Sequence, residues 1–316
     1  MKAASITRIL FRSPPLITLA LVALVWIVAG TTLRGFAAVG HLRYILELSA
    51  IIGIVAAGQT LVILVGGIDL SVGAVITVTA ILLPLISPDW DQTGLVGVVL
   101  TRAVATVIGL ANAMGQVYLR VPAIIMTLAM ATFLQGLLVL IAGGSAVSVS
   151  NEAVIWLGSA RPFGIPASIV VWILVAVAVL IVIHRLPFGA RLLALGANPL
   201  AARLSGVDVK RNTLAVYALA GLLSGVAGLL VLGMNRQGYV GIGDPYLMTS
   251  IAAVVLGGTS ILGGRGSYAG TIPGAILLVT TTALITVVNA SPGWRSIMFG
   301  SLFLALLLVS GREAQR

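Results

Sequence analysis

Long apolar runs separated by short polar breaks dominate the chain. They fall at residues 16–33, 44–65, 70–87, 94–115, 122–142, 167–184, 213–233, 246–263, 269–290 and 294–310. A helix needs about 20 apolar residues to cross about 30 Å of hydrocarbon, so the pattern predicts an all-α integral membrane bundle of about ten transmembrane helices. The longest intervals between runs, 143–166 and 185–212, are well short of the roughly 50 residues that a separate domain requires. Residues 1–316 therefore read as one membrane domain. The most informative break is Gly66-Gly67-Ile68-Asp69-Leu70-Ser71-Val72-Gly73. Upstream of it, Tyr44 to Val65 carries a single charge, Glu47, and downstream Leu70 to Ser87 carries none. Irregular backbone at membrane depth is tolerated only where protein or a water-filled cavity surrounds it, which places this break inside a bundle or at its interface with water.

Composition agrees with the pattern: 59% of residues are hydrophobic, 8% are charged and the mean hydropathy is +1.17. Soluble domains carry about one-quarter charged residues. The formal charge of +10 raises the question of nucleic acid, but its distribution answers it. With the N-terminus inside, cytoplasmic positions hold Lys2, Arg8, Arg12, Arg120, Arg185, Arg191, Arg203, Lys210, Arg211, Arg265, Arg312 and Arg316. The opposite side holds Arg34, Arg43, Arg102, Arg161, Arg236 and Arg295, together with Asp89, Asp91, Glu152 and Asp244. That bias fits the positive-inside rule for an even number of spans with both termini in the cytoplasm. Lys2, Arg8 and Arg12 before an apolar run also resemble a secretory signal, but the run is long for a signal core and an uncleaved first span is the better reading.

Enzyme chemistry finds no foothold. Cysteine is absent, only His41 and His184 are present, and no Gly-x-Ser-x-Gly elbow occurs. Neither lysine, Lys2 or Lys210, follows the glycine of a phosphate-binding loop. No catalytic, cofactor or metal site is expected, and a transport subunit would draw its energy from elsewhere. In the Gly66 to Gly73 break, glycines end one helix while Asp69 or Ser71 caps the next. A second reading makes Asp69 a partner contact or, with Gly66, Gly67, Ser71 and Gly73, part of a gate near the cytoplasmic mouth, since charge near a span is costly. Polar residues within spans are Gln59, Thr60, Asn112, Gln116, Thr127, Gln135, Ser224 and Ser250, suited to bonds between helices or to a weakly polar conduit. Gln59, Asn112 and Thr127 are the candidates for the translocation path. Gly221, Gly225 and Gly228 share one helical face and predict close helix packing. The recurrence of Val65-Gly66-Gly67 as Leu256-Gly257-Gly258 hints at an internal repeat.

Gly58-Gln59-Thr60-Leu61-Val62-Ile63 running into Gly66 to Gly73 closely resembles the permeases of bacterial sugar ABC importers, with the ribose-type family nearest in pattern. The resemblance continues through Asn112, Val121-Pro122-Ala123, Thr127-Leu128-Ala129, the stretch Gly196 to Val207, Ile251 to Ser260, and Gly263-Gly264-Arg265-Gly266. Two departures bear on substrate. Asp244-Pro245-Tyr246-Leu247-Met248 stands where many relatives have Tyr-Glu-Leu, and Ala113 follows Asn112 where glycine is common.

The resemblance implies a pore of two permease subunits in the lipid membrane, homodimeric or heterodimeric, with a cytoplasmic ATP-binding subunit and a periplasmic sugar-binding protein. ATP binding on the partner and hydrolysis there would drive alternating access. It also implies that the basic inner segment 185–212 carries the helix that docks on the ATPase, through Arg191, Gly196, Asn198, Ala201, Ala202, Arg203 and Gly206. Local chemistry agrees, because Pro199 to Leu204 can form a short helix with proline in its first turn and Asn198 as cap. The outer segments 143–166 and 234–245, with Glu152, Arg161, Arg236 and Asp244, are candidates for binding-protein contact. Nucleosides, branched-chain amino acids or a furanone-type signal molecule are alternative cargoes, and an ATP-independent facilitator or channel is the alternative from another class.

Overall fold

The computed structural model describes residues 14–87 and 90–288, with a few positions between 291 and 301. Lys2, Arg8, Arg12, Asp89, Arg295, Arg312, Arg316 and most of the tenth predicted span lie outside the described residues. In chain order the helices are α1 (Pro14–Thr32), α2 (Val39–Leu64), α3 (Val72–Ile86), α4 (Trp90–Tyr118), α5 (Ala123–Ala142), α6 (Glu152–Ser159), α7 (Ala167–His184), α8 (Pro187–Ala197), α9 (Pro199–Leu204), α10 (Val209–Asn235), α11 (Asp244–Leu256) and α12 (Tyr268–Val287). Two short strands, β1 (Val147–Ser148) and β2 (Gln237–Gly238), pair antiparallel with Val147 opposite Gly238. This is an all-α polytopic membrane protein. Each predicted span from 16–33 to 269–290 carries a helix, and seven of the helices are long and apolar enough to cross a membrane.

The exceptions are α3, with 15 residues, and α11, with 13. At 1.5 Å per residue they rise about 20 Å, too little to cross the hydrocarbon alone. The apolar run 246–263 predicts a full span, but α11 stops at Leu256 because Gly258, Gly263, Gly264 and Gly266 all take positive φ angles that turn the chain out of the helix.

Burial sorts the helices into a centre and a rim. In α2, 83% of the most apolar window is buried, against 17% in α1. α10 packs beside α2 and touches α4 and α3 through its glycine face. A Cβ on Gly221 would lie 2.3 Å from the Ala105 carbonyl oxygen, and one on Gly228 would lie 2.7 Å from Thr79 Cβ. Only hydrogen fits there, so the backbones approach closely and gain dispersion contacts where lipid offers no hydrophobic drive.

A buried hydrogen-bond chain ties three helices across this centre. Trp172 Nε1 of α7 donates to the Tyr268 hydroxyl of α12 at 2.8 Å, and that hydroxyl donates to the Gly53 carbonyl of α2 at 2.8 Å. A Cβ on Gly53 would strike the Trp172 ring at 2.2 Å, so glycine is what admits the indole. Tyr268→Phe leaves the indole N–H without its acceptor and is expected to cost about 1–3 kcal/mol. A thermal melt of the purified protein in detergent checks this, and an unchanged midpoint would show that the chain of bonds contributes nothing.

Candidate translocation and coupling site

α2 ends on Gly66, with φ 80°, in a Schellman turn: Gly66 N–H donates to Ile63 O at 2.9 Å and Gly67 N–H to Val62 O at 3.0 Å. Gly258 ends α11 in the same way, donating to Val255 O at 2.9 Å while Thr259 N–H donates to Val254 O at 3.2 Å. The likeness of the two glycine pairs is thus a shared helix stop. Its register is Gly66 with Gly258, one residue displaced from the alignment that the sequence suggests.

Beyond Gly67 the chain climbs into the bundle and is held by buried polar contacts. Asp69 Oδ1 accepts the Ser71 N–H at 2.8 Å and the Ser71 hydroxyl at 2.6 Å. Asn112 Nδ2 of α4 donates to Ser71 Oγ at 2.8 Å, and Leu70 N–H donates to Thr127 Oγ1 of α5 at 3.0 Å. Asp69 is 1% exposed, so it turns the chain within the protein and offers no surface to a partner. Ser71 occupies the cap position of α3 without a side-chain capping bond, leaving the turn to Asp69. Gln59 is fully buried in α2 with neither amide atom hydrogen-bonded. Asn112 and Thr127 therefore converge on the break, whereas Gln59 does not join them by any hydrogen bond.

The break meets a second one. A Cβ on Gly73 would lie 2.9 Å from the Gly243 carbonyl oxygen and 3.3 Å from Asp244 Cα, and Gly243 N–H donates to Thr77 Oγ1 at 3.1 Å. Residues 236–243 reach that point by folding back along α3, with Gly238 against Ala80 and Gly243 against Gly73 and Ile76. Thr79 lies against Gly225 and Gly228 of α10. Gly73, about 9 Å further down α3, is then level with the middle of the spanning helix α10. Two part-helices thus start near mid-membrane and run in opposite directions, α3 outward and α11 inward, each after an irregular segment. The segment 234–245, expected as an outer loop, dips inward at its second half because glycines at 238, 241 and 243 let the backbone lie against α3.

On the inner side, the expected short helix forms as α9, with Asn198 Oδ1 accepting from Leu200 N and Ala201 N at 3.0 Å each. Gly206, φ 85°, closes it. Its apolar Leu200 and Leu204 stand 67% and 81% exposed, and Arg191, Ala201 and Arg203 are also exposed. Ala202 differs from expectation: it is 4% exposed and faces the protein, so it anchors the helix and is not part of its free face. Gly196 at the end of α8 is the point of attachment. A Cβ there would lie 1.9 Å from Leu64 O and 2.4 Å from Gly264 N, the two atoms that form a 3.0 Å hydrogen bond between the end of α2 and the loop after α11.

Two cavities flank the meeting of the breaks. An inner one of 960 Å³ is walled by Gly66, Gly67, Gln116, Arg120, Arg203, Lys210 and Tyr217. An outer one of 820 Å³ lies between α2, α11 and α12 and includes His41, Tyr44, Asp244, Tyr246, Thr249 and Thr282. Gln59, Asn112 and Thr127 line neither. Among the described residues no cluster of histidines and carboxylates could hold a metal ion. The signals missed in the sequence were the i, i+4 pair Leu200 and Leu204 on a helix whose one charged residue is Arg203, and the aromatics at 41, 44 and 246, which periodicity assigns to ordinary span ends.

A bundle of apolar helices with paired breaks and an exposed short inner helix is the architecture of a membrane protein, and comparison with known proteins gives its class as a permease component. Residues 41–307 match the family described as branched-chain amino acid transport system / permease component, and the chain belongs to it. It is 33% identical over 299 residues to the ribose import permease protein of Escherichia coli (strain K12), covering 93% of this chain and 92% of that one. It is 32% identical to the L-arabinose transport system permease protein of the same strain, over 81% of this chain and 78% of that one. It is 29% identical to the fructose import permease protein of Rhizobium meliloti, over 95% and 86%. No solved structure matches. The chain is a multi-pass inner-membrane permease.

Proposed function

We propose that the protein is the permease subunit of an ATP-driven, binding-protein-dependent monosaccharide importer, a single membrane domain of about ten helices with both termini in the cytoplasm. The observation that carries the reading is the contact of Gly196 with Leu64 and Gly264, which seats the end of α8 on the foot of the break at Gly66 to Gly73, two residues before the Asn198 cap of the exposed helix α9. The relatives named above are permeases of ribose import, L-arabinose transport and fructose import, which favours a sugar over the amino acids in the family description.

Two copies, or one copy and a similar permease, form the pore. An ATP-binding subunit receives Leu200 and Leu204 in an apolar groove, and a periplasmic binding protein delivers sugar to the outer face. Closure of the ATPase moves α8 and α9, and Gly196 passes that movement to the end of α2 and to the loop after α11. Gly66, Gly67, Asp69, Ser71 and Gly73 then act as a gate between the two cavities, while Asn112 and Thr127 hold it in register. ATP hydrolysis resets the gate.

The test is reconstitution of the permease with its ATP-binding subunit and binding protein in liposomes, followed by uptake of radiolabelled ribose, arabinose and fructose. ATP-dependent uptake of at least one is expected, and uptake without ATP would favour a facilitator. Leu200→Asp with Leu204→Asp is expected to lower sugar-stimulated ATP hydrolysis about ten-fold or more while the permease still elutes as a folded species. Replacing two buried anchors by carboxylates removes apolar contact area and places charge in the groove. Normal stimulation by the double variant would remove α9 from the docking interface.

A further inference from the structure

Asp244 is a feature of the outer cavity that packing does not explain. It opens α11 at mid-membrane depth, is exposed to the cavity, and its one side-chain hydrogen bond among the described residues is a long 3.4 Å contact from Gln135 Nε2. A carboxylate held at that depth is costly unless it faces water and has work to do. Around it stand Tyr44 and His41 from the outer end of α2, Tyr246 and Thr249 from α11, and Thr282 from α12. The cavity runs from the outer ends of α2 and α12 down to Ile52, Asp244 and Val279, about half-way through the bundle, and its 820 Å³ falls in the range of about 300–1,000 Å³ typical of small-molecule sites.

We propose that this cavity is the outward-facing half of the sugar path and that Asp244 is its principal sugar contact, a reading that rests on the monosaccharide function above. The chemistry fits the cargo. An ionised carboxylate accepts two hydrogen bonds side by side, as two neighbouring ring hydroxyls would donate them. Tyr44 and Tyr246 offer aromatic faces to the C–H face of a sugar ring and hydroxyls at their tips. The Thr249 hydroxyl, which donates to Pro245 O at 2.8 Å, can accept from a sugar, and the Thr282 hydroxyl can donate or accept. Because Asp244 packs on Gly73, the sugar contact adjoins the break proposed as the gate.

The experiment uses the complete transporter in liposomes and reads both sugar uptake and ATP hydrolysis, with ribose, arabinose and fructose as probes. Asp244→Asn and Asp244→Ala are expected to lower sugar moved per ATP about ten-fold or more, with hydrolysis stimulated by the binding protein nearly unchanged. Asp244→Glu is expected to restore part of the loss and to alter the ranking of the three sugars, which a purely structural carboxylate at a helix start would not do. Uptake by the unsubstituted transporter with all three variants unaffected overturns the assignment of Asp244 alone. Loss of stimulated hydrolysis in step with uptake also overturns it, and makes Asp244 part of the binding-protein contact. Absence of uptake of any of the three probes by the unsubstituted transporter overturns the monosaccharide reading itself, and the ligand class with it.

Discussion

Replacing Gly196 with valine is expected to abolish uptake and to lower the thermal midpoint of the purified permease. A Cβ at this position would lie 1.9 Å from Leu64 O and 2.4 Å from Gly264 N. Both are backbone atoms, and they are joined by the hydrogen bond that ties the end of α2 to the loop after α11. Overpacking against side chains costs about 1–3 kcal/mol because rotamers yield. Here no rotamer is available, so either that bond breaks, at a further cost of about 1–3 kcal/mol, or α8 lifts from its seat. Gly264 and Gly263 cannot relieve the crowding, since a Cβ on either would meet Ala197 or Gly66 within 3 Å. Gly196→Ala should already impair uptake, with valine the more severe. Melts in detergent separate lost stability from lost coupling, and alanine and valine variants that fold and transport normally would refute the seat of α8 as the link between docking helix and break.

Asp69→Ala is expected to lower uptake about ten-fold or more, whereas Asp69→Asn should retain most of it. The carboxylate oxygen Oδ1 accepts from both the Ser71 N–H and the Ser71 hydroxyl in a site closed to solvent. Alanine leaves those donors without an acceptor at a cost of about 1–3 kcal/mol each and frees the hydroxyl that Asn112 holds. Asparagine keeps a carbonyl oxygen at the same place and therefore keeps the turn. Uptake and ATP hydrolysis of the two variants, measured together, divide the roles of the residue. If asparagine proves as damaging as alanine, the charge itself is required, and Asp69 acts in gating beyond its part in the turn.

Much of this architecture was legible without coordinates because hydropathy over some 20 residues reflects the solvent around a span and needs no knowledge of its neighbours. The same holds for the cap at Asn198, where Asn-Pro before a short apolar segment is a local rule satisfied by hydrogen bonds within three residues. The candidate site was legible only in part. Asn112 and Thr127 drew notice as polar residues inside spans, but sequence cannot say whether such a group faces a path or another helix. In the folded chain Asn112 donates to the Ser71 hydroxyl and Thr127 accepts from the Leu70 N–H of the break, and neither lines the inner or the outer cavity. Ala202 reads as one of several small residues on a docking segment, and only its 4% exposure separates the anchoring face of α9 from the face that carries Leu200 and Leu204.

The chain by itself determined the membrane class, the order of spans, the helix stop at Gly66 and the short inner helix capped by Asn198, since each rests on transfer free energy or on backbone geometry within a few residues. Tertiary structure decided which spans are complete. Apolarity records where a segment is buried, but it does not record whether the burial is by lipid on both sides or by neighbouring helices. α3 and α11 are therefore as hydrophobic as full spans, yet begin half-way across. Their meeting at Gly73 and Gly243, and the placement of Asp244 beside it, depend on contacts between residues about 170 positions apart that only packing of the whole bundle brings together.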